Sequence, residues 1–223
     1  MIVEVAALIA GSYIVGSIPM GLLVGRARGV DLRRCGSGNI GATNAGRVLG
    51  RRFGILVFAL DAGKGAFCTG LAGMLAALVT HGHSEYRDTI WVGAAMAAIL
   101  GNMFSIFLSF RGGKGVGTSL GAVLGIYPYL TYPGLLAGLV WLVVVKISRY
   151  VSLASMAAVA VFPALFVGLS CWLGWRVREH TPLLILSIAM PVLVLLRHRD
   201  NISRLLSGTE NRVGGTGRSQ SPN

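Results

Sequence analysis

The chain has 223 residues, of which 54% are hydrophobic and only 13% charged, with a mean hydropathy of +0.70; so little polar surface cannot cover a water-soluble fold, and the natural solvent is lipid. A formal net charge of +12 would suit nucleic acid, but the basic residues are spread over separate short loops without aromatic interleaving, which argues against a nucleic-acid partner. Cys35, Cys68 and Cys171 are odd in number and lack metal spacing, so no disulfide framework and no cysteine metal site is indicated.

A hydrocarbon core about 30 Å thick needs roughly 17 to 25 apolar residues per helix. The chain offers apolar segments at 3–24, 53–80, 89–109, 115–131, 132–146, 151–174 and 181–197, so the expected architecture is an all-α polytopic membrane protein with about seven transmembrane helices. The first segment begins "MIVEVAALIA", without the basic start and small-residue cleavage site of a signal peptide, and reads as a retained helix. In the second, Asp61 and Lys64 lie one turn apart, which predicts an internal ion pair because either charge alone is costly in hydrocarbon. The fourth and fifth segments are short. Their glycines, Gly113, Gly117, Gly121 and Gly125 in one and Gly134 and Gly138 in the other, have the spacing that lets helix backbones approach. Packing within a monomer is expected for that stripe.

Of the 20 Lys and Arg, all but Lys64, Arg87, Arg176 and Arg178 fall in 25–52, 110–114, 146–150 and 197–223. Positively charged short loops stay on the cytoplasmic side, which puts the N-terminus outside and the C-terminus in the cytoplasm. Residues 1–210 read as a single transmembrane domain, and 211–223, polar and glycine-rich, as a disordered cytoplasmic tail.

The stretch "CGSGNIGATNAGR", residues 35–47, contains a G-x-G-x-x-G, and Asp61 follows at a distance that would suit a dinucleotide site. A buried strand should precede such a motif, whereas here "GRARGVDLRRC" precedes it and a long apolar run follows, so the nucleotide fold is rejected. The same glycines, Gly36, Gly38 and Gly41, predict a phosphate cradle of backbone N–H groups to which Ser37, Asn39, Thr43 and Asn44 add donors. Arg47 adds a planar fork near the expected start of the second helix. In "FRGGKGVGT", Lys114 sits among Gly112, Gly113 and Gly115, where backbone can approach a ligand closely; Gly115 directly after the lysine excludes a Walker loop and hence ATP.

In "RHRDNISRLLSGTE", helical spacing puts His198 and Asn201 on one face, and Glu210 is available to Arg204 or Arg47. His81 and His83 occupy an outer loop without nearby ligands, so no metal site is expected there. The three polar segments share one membrane face, and together they supply the parts of an anion site.

These segments resemble the integral-membrane acyl-phosphate:glycerol-3-phosphate acyltransferases of bacteria. The resemblance rests on "SGNIGATNAGR" from Ser37 to Arg47, "GGKGVGT" from Gly112 to Thr118 and "HRDNISRLLSGTE" from His198 to Glu210, and covers nearly the whole chain. It implies an enzyme of the bacterial inner membrane that moves an acyl group from acyl phosphate to glycerol 3-phosphate at the cytoplasmic face, without cofactor or metal. By motif position it implies that Ser37, Arg47, Lys114, Ser152, His198 and Asn201 line the reactive site, with Gly38 and Asn39 nearby. Direct attack by the glycerol hydroxyl is expected, since no Ser-His-Asp arrangement follows from the spacing. The chain departs from the family pattern at Asn102 and Ser105, where His and Pro are common, and at Gly117, where alanine is common. A phosphate or organic-anion transporter is the alternative, and a lipid-binding scaffold a third reading.

Overall fold

The computed structural model describes residues 2–79 and 84–213. His81, His83 and the tail from residue 214 onward lie outside the described residues. The apolar segments fold as helices: α1 (Ile2–Ser17), α2 (Met20–Ala27), α3 (Ala42–Val48), α4 (Arg51–Val79), α5 (Ser84–Met103), α6 (Val116–Leu124), α7 (Thr131–Ser148), α8 (Val151–Trp172), α9 (Thr181–Leu196) and α10 (Arg199–Leu206). The described residues contain no strand.

Among the described residues, six helical stretches are long and apolar enough to cross a membrane: Ile2–Ala27, Arg51–Val79, Tyr86–Leu108, Thr131–Ser148, Val151–Trp172 and Val177–Leu196. The count differs from the expected seven at segment 115–131. There α6 has only nine residues, about 13 Å at 1.5 Å per residue, and the chain then turns through residues 125–130. This short segment still carries the chain from one end of the bundle to the other. Lys114, just before it, is bonded to Asn201 at one end, while Tyr129, just after it, packs on Trp175 and His180 at the opposite end. A short helix suffices because it is sheltered by protein, where irregular backbone is tolerated at membrane depth. Side chains such as Phe67, Met74, Leu78, Leu139 and Leu142 stay exposed on the long helices, an apolar exterior suited to lipid.

The glycine stripe explains how α6 is sheltered. A methyl group added at Gly121 would fall on the backbone carbonyl of Ala62, and one at Gly125 on Thr69 Oγ1. At Gly65, on the facing helix, it would strike the carbonyl of Thr118. The α4 and α6 backbones are therefore in direct contact, as small-residue packing requires. Gly138, at the expected spacing in α7, has nothing within 4 Å of such a methyl and takes no part.

The first crossing is broken at Pro19, the residue preceding α2. Proline has no N–H, and a break of this kind strands carbonyls at the end of α1. Two side chains bond to carbonyls there: Ser105 Oγ donates to that of Ser17, and Lys64 Nζ, at 3.0 Å, to that of Ile18, which also accepts the Met20 N–H. Lys64 also forms the expected pair with Asp61, at 2.8 Å. At the other end of the bundle, Asp88 is fully buried and lies 2.6 Å from His180 Nδ1, fastening α5 to the turn before α9.

Gly121→Ala is expected to lower stability by about 1 to 3 kcal/mol through overpacking, whereas Gly70→Ala, with open space around the new methyl, leaves it unchanged or slightly raised. Thermal unfolding in detergent compares the two.

Candidate functional site

The loop before α3 is organised by one buried side chain. The Asn44 amide donates to the carbonyls of Leu32, Cys35 and Asn39 at 3.1, 3.0 and 2.8 Å, and its oxygen accepts from the Ser37 N–H at 2.9 Å. Gly36 and Gly38 have φ of 60° and 70°, the left-handed region that favours glycine. A Cβ at Gly36 would collide with the Asn44 oxygen. The Gly38 N–H is used by the Cys35 carbonyl, and the Gly41 N–H by Asn39 Oδ1 at 2.8 Å.

This corrects the expected cradle. Asn44 is not a donor to a ligand but the brace around which the loop is wound, and the N–H groups of Ser37, Gly38 and Gly41 are engaged within the loop. Asn39 closes its own turn. Ser37, Gly38, Thr43 and Arg47 remain exposed. The helix α3 packs on the start of α4 where Gly46 meets Gly54, and this close approach carries Arg47 to the bundle end.

The second segment is clamped from both sides. The Gly112 and Gly113 N–H groups donate to the Met103 and Asn102 carbonyls at 3.1 and 3.0 Å. Their carbonyls accept from Arg197, at 3.0 Å for Gly112 and at 3.0 and 3.2 Å for Gly113. Gly112 and Gly113, expected to face phosphate, therefore have no free backbone donor. Their task is close packing, since a Cβ on Gly112 would strike the Asn102 carbonyl. What the clamp presents is Lys114, immediately before α6.

The third segment completes the site. Lys114 Nζ donates to Asn201 Oδ1. Asn201 Nδ2 donates to Glu210 Oε1 at 2.8 Å, the same oxygen accepts from Ser152 Oγ at 2.9 Å, and Glu210 Oε2 accepts from Arg204 at 2.8 Å. Glu210 thus takes up the expected pairing with Arg204 and holds the Asn201 and Ser152 donors as well. Arg47 lies in the electrostatic field of Glu210, Arg204 and Lys114, so residues from all three segments converge at one end of the bundle.

Charge and burial differ sharply among these groups. Burial, opposed by Glu210 and reinforced by Arg204 and Arg47, pushes the Lys114 ammonium down to about 8. For Glu210, burial acts upward but is outweighed by hydrogen bonds from Arg204, Asn201 and Ser152, which hold its carboxyl below the ordinary value. His198 is 2% exposed, and burial pushes its imidazole down to about 4. Its Nδ1 lies 2.7 Å from the Val194 carbonyl. A carbonyl only accepts, so Nδ1 carries the hydrogen and Nε2 the lone pair.

Ser152 is bonded to Glu210 rather than to His198, and a carboxylate held below its ordinary pKa is a weak base. No hydrogen bond joins His198 to Ser152 or Ser37 among the described residues. The arrangement is suited to neutralising phosphate and orienting a hydroxyl. Arg197 and Arg204 were absent from the residues expected to line the site. Arg204 was legible as a partner for Glu210; Arg197 gave no signal beyond its place directly after the last apolar segment.

Residues 6–208 match the glycerol-3-phosphate acyltransferase family model. Similar curated proteins include the glycerol-3-phosphate acyltransferase of Trichlorobacter lovleyi, 44% identical over 205 residues, covering 92% of this chain and 95% of the relative. That of Geotalea daltonii is 45% identical over 206 residues with the same coverage. Among solved structures, the glycerol 3-phosphate form of PlsY, an integral membrane glycerol 3-phosphate acyltransferase, superposes with a TM-score of 0.80 at 37% identity, over 95% of this chain and 96% of that one. Its lysophosphatidic acid form gives 0.78 at 36% identity over the same shares. Matched in sequence and in fold along nearly its whole length, the chain belongs to the glycerol-3-phosphate acyltransferase family of integral membrane proteins.

Proposed function

We propose that this protein transfers a fatty acyl group from acyl phosphate to the first hydroxyl of glycerol 3-phosphate, giving lysophosphatidic acid and inorganic phosphate, the first step of phospholipid synthesis. Residues 1–210 act as one acyltransferase domain, working as a monomer in the bacterial inner membrane with the site at the cytoplasmic face. The observation that carries this reading is the bonded series from Lys114 through Asn201 to Glu210, with Ser152 and Arg204 on the same carboxylate. It assembles cations for two phosphate-bearing substrates beside an apolar bundle that accepts the acyl tail. The PlsY forms with glycerol 3-phosphate and lysophosphatidic acid support the acceptor and the product. The positive loops at the site end support the cytoplasmic placement.

In this mechanism Arg47 and Lys114 neutralise phosphate, with Ser37, Gly38 and Thr43 exposed beside them. The acceptor hydroxyl attacks the acyl carbonyl carbon, the bond from that carbon to the phosphate oxygen breaks, and phosphate departs. An imidazole pushed down to about 4 is a weak base at neutral pH. The hydroxyl proton therefore passes to the leaving phosphate, while His198 stays neutral and orients glycerol 3-phosphate together with Asn201 and Ser152. The acyl phosphate is already activated, so no cofactor is required.

Purified protein in detergent, given both substrates without a gradient, is expected to form lysophosphatidic acid. Gradient-dependent uptake by proteoliposomes without product would instead support the anion transporter. In the same assay, Lys114→Ala is expected to lower kcat/KM by about 100-fold or more, the scale of losing one charge-stabilising donor. His198→Gln keeps measurable turnover; its complete loss at unchanged folding would return His198 to the role of obligatory base.

The pH profile follows from Lys114, which must be protonated to hold phosphate. With its ammonium at about 8, the charged fraction falls to about one tenth at pH 9. Thus kcat/KM is expected to decline above pH about 8, and His198, already neutral, contributes no acidic limb near pH 6. Initial rates across pH 6 to about 9.5 at fixed ionic strength check both limbs.

A further inference from the structure

The mechanism above leaves one buried ionic group unused. Lys64 is 5% exposed and bonds both Asp61 and the Ile18 carbonyl. A charge pair in this setting is fixed in place, because moving either member would leave the other uncompensated in hydrocarbon. Asp61 lies beneath the first turn of α6: a Cβ added to Gly117 would stand 3.1 Å from the Asp61 Cβ.

Asn102, 7% exposed at the end of α5, reaches from this pair to the clamped loop. Its Nδ2 donates to Asp61 Oδ1 at 3.4 Å, and its carbonyl accepts the Gly113 N–H at 3.0 Å. A Cβ on Gly113 would lie 3.1 Å from Asn102 Oδ1, so the side chain leaves the loop no room for a bulkier residue there. The next residue is Lys114.

We propose that Asn102 is a positioning residue, joining the buried Asp61–Lys64 pair to Gly112–Gly113 and thereby fixing where Lys114 is held. The pair anchors α1 and α4, Asn102 transmits that anchor along α5, and the loop delivers the lysine at the start of α6. Arg197 closes the loop from its carbonyl side and cannot replace Asn102, because it engages different atoms. The assignment of Lys114 to phosphate rests on the acyltransferase reading, whereas its placement by Asn102 does not.

Asn102→Leu keeps the backbone carbonyl and roughly the volume but removes the amide; Asn102→His restores an N–H donor. The first readout is independent of activity: Lys114 acylation by an amine-directed reagent, followed against pH by peptide mass spectrometry. Wild type is expected to show a midpoint near 8. In Asn102→Leu the lysine moves toward water and the midpoint rises toward the ordinary lysine value. The KM for glycerol 3-phosphate rises about three- to tenfold, the worth of one hydrogen bond, with a smaller change in kcat, and Asn102→His recovers both. An unchanged midpoint in folded Asn102→Leu overturns the proposal, as does a fall in thermal stability with parallel losses in kcat and KM that histidine does not repair. Failure of wild-type protein to form lysophosphatidic acid would count against the acyltransferase reading alone, leaving the labelling result to decide this one.

Discussion

Glu210 is an anion set among cations, and its charge is fully engaged by the groups around it. One oxygen accepts from Ser152 and Asn201, the other from Arg204. Held in this way, the carboxylate turns the Asn201 carbonyl toward Lys114 and keeps Arg204 from adding unopposed repulsion to Arg47 and Lys114. Three cations gathered without an internal anion would drive one another apart, at a cost of several kcal/mol per close pair in a partly desolvated setting. One carboxylate from the last segment thus lets cations supplied by distant parts of the chain share one end of the bundle.

Much of this was legible in the sequence, for identifiable reasons. Apolar run length revealed the membrane helices, helical spacing revealed the Asp61–Lys64 pair, and the clustering of polar segments between apolar runs revealed which loops meet. The directions of individual hydrogen bonds were not legible. Asn44 and Thr43 are neighbours of similar polarity, yet Asn44 is buried inside the loop it organises while Thr43 remains outside; only the path of the backbone decides between them. Gly112 and Gly113 look like ligand-facing glycines, but their N–H groups are taken by Asn102 and Met103 carbonyls, acceptors that become available where α5 ends. The crossing at α6 reads from the sequence as a short, glycine-striped span, because composition registers hydrophobicity and not helix length. Shelter by α4, which allows nine helical residues to serve there, is a tertiary property.

The residues around the second polar segment have physical roles beyond the site itself. Ser105, just past the end of α5, supplies a hydroxyl to the Ser17 carbonyl at the α1–α2 break. Lys64 of α4 does the same for Ile18, so the break is closed from two different parts of the chain. Gly117 leaves the α6 backbone close to Asp61, with only 3.1 Å available to an added Cβ. These residues lie around one buried junction, where α1, α4, α5 and α6 come together behind Lys114.

Burial acts on Lys114 and His198 in the same direction with opposite chemical consequences. An ammonium brought down to about 8 is still mostly charged at neutral pH, whereas an imidazole brought down to about 4 has lost its charge altogether. One environment therefore sorts the two cationic side-chain types, leaving Lys114 charged and the His198 ring neutral, the states that their proposed roles toward phosphate and hydroxyl require. A protonated His198 would add a further cation beside Lys114 and Arg197, which already press its pKa down. The crowding that concentrates positive charge at this end of the bundle is thus part of what keeps the histidine neutral, and both protonation states follow from a single distribution of charge.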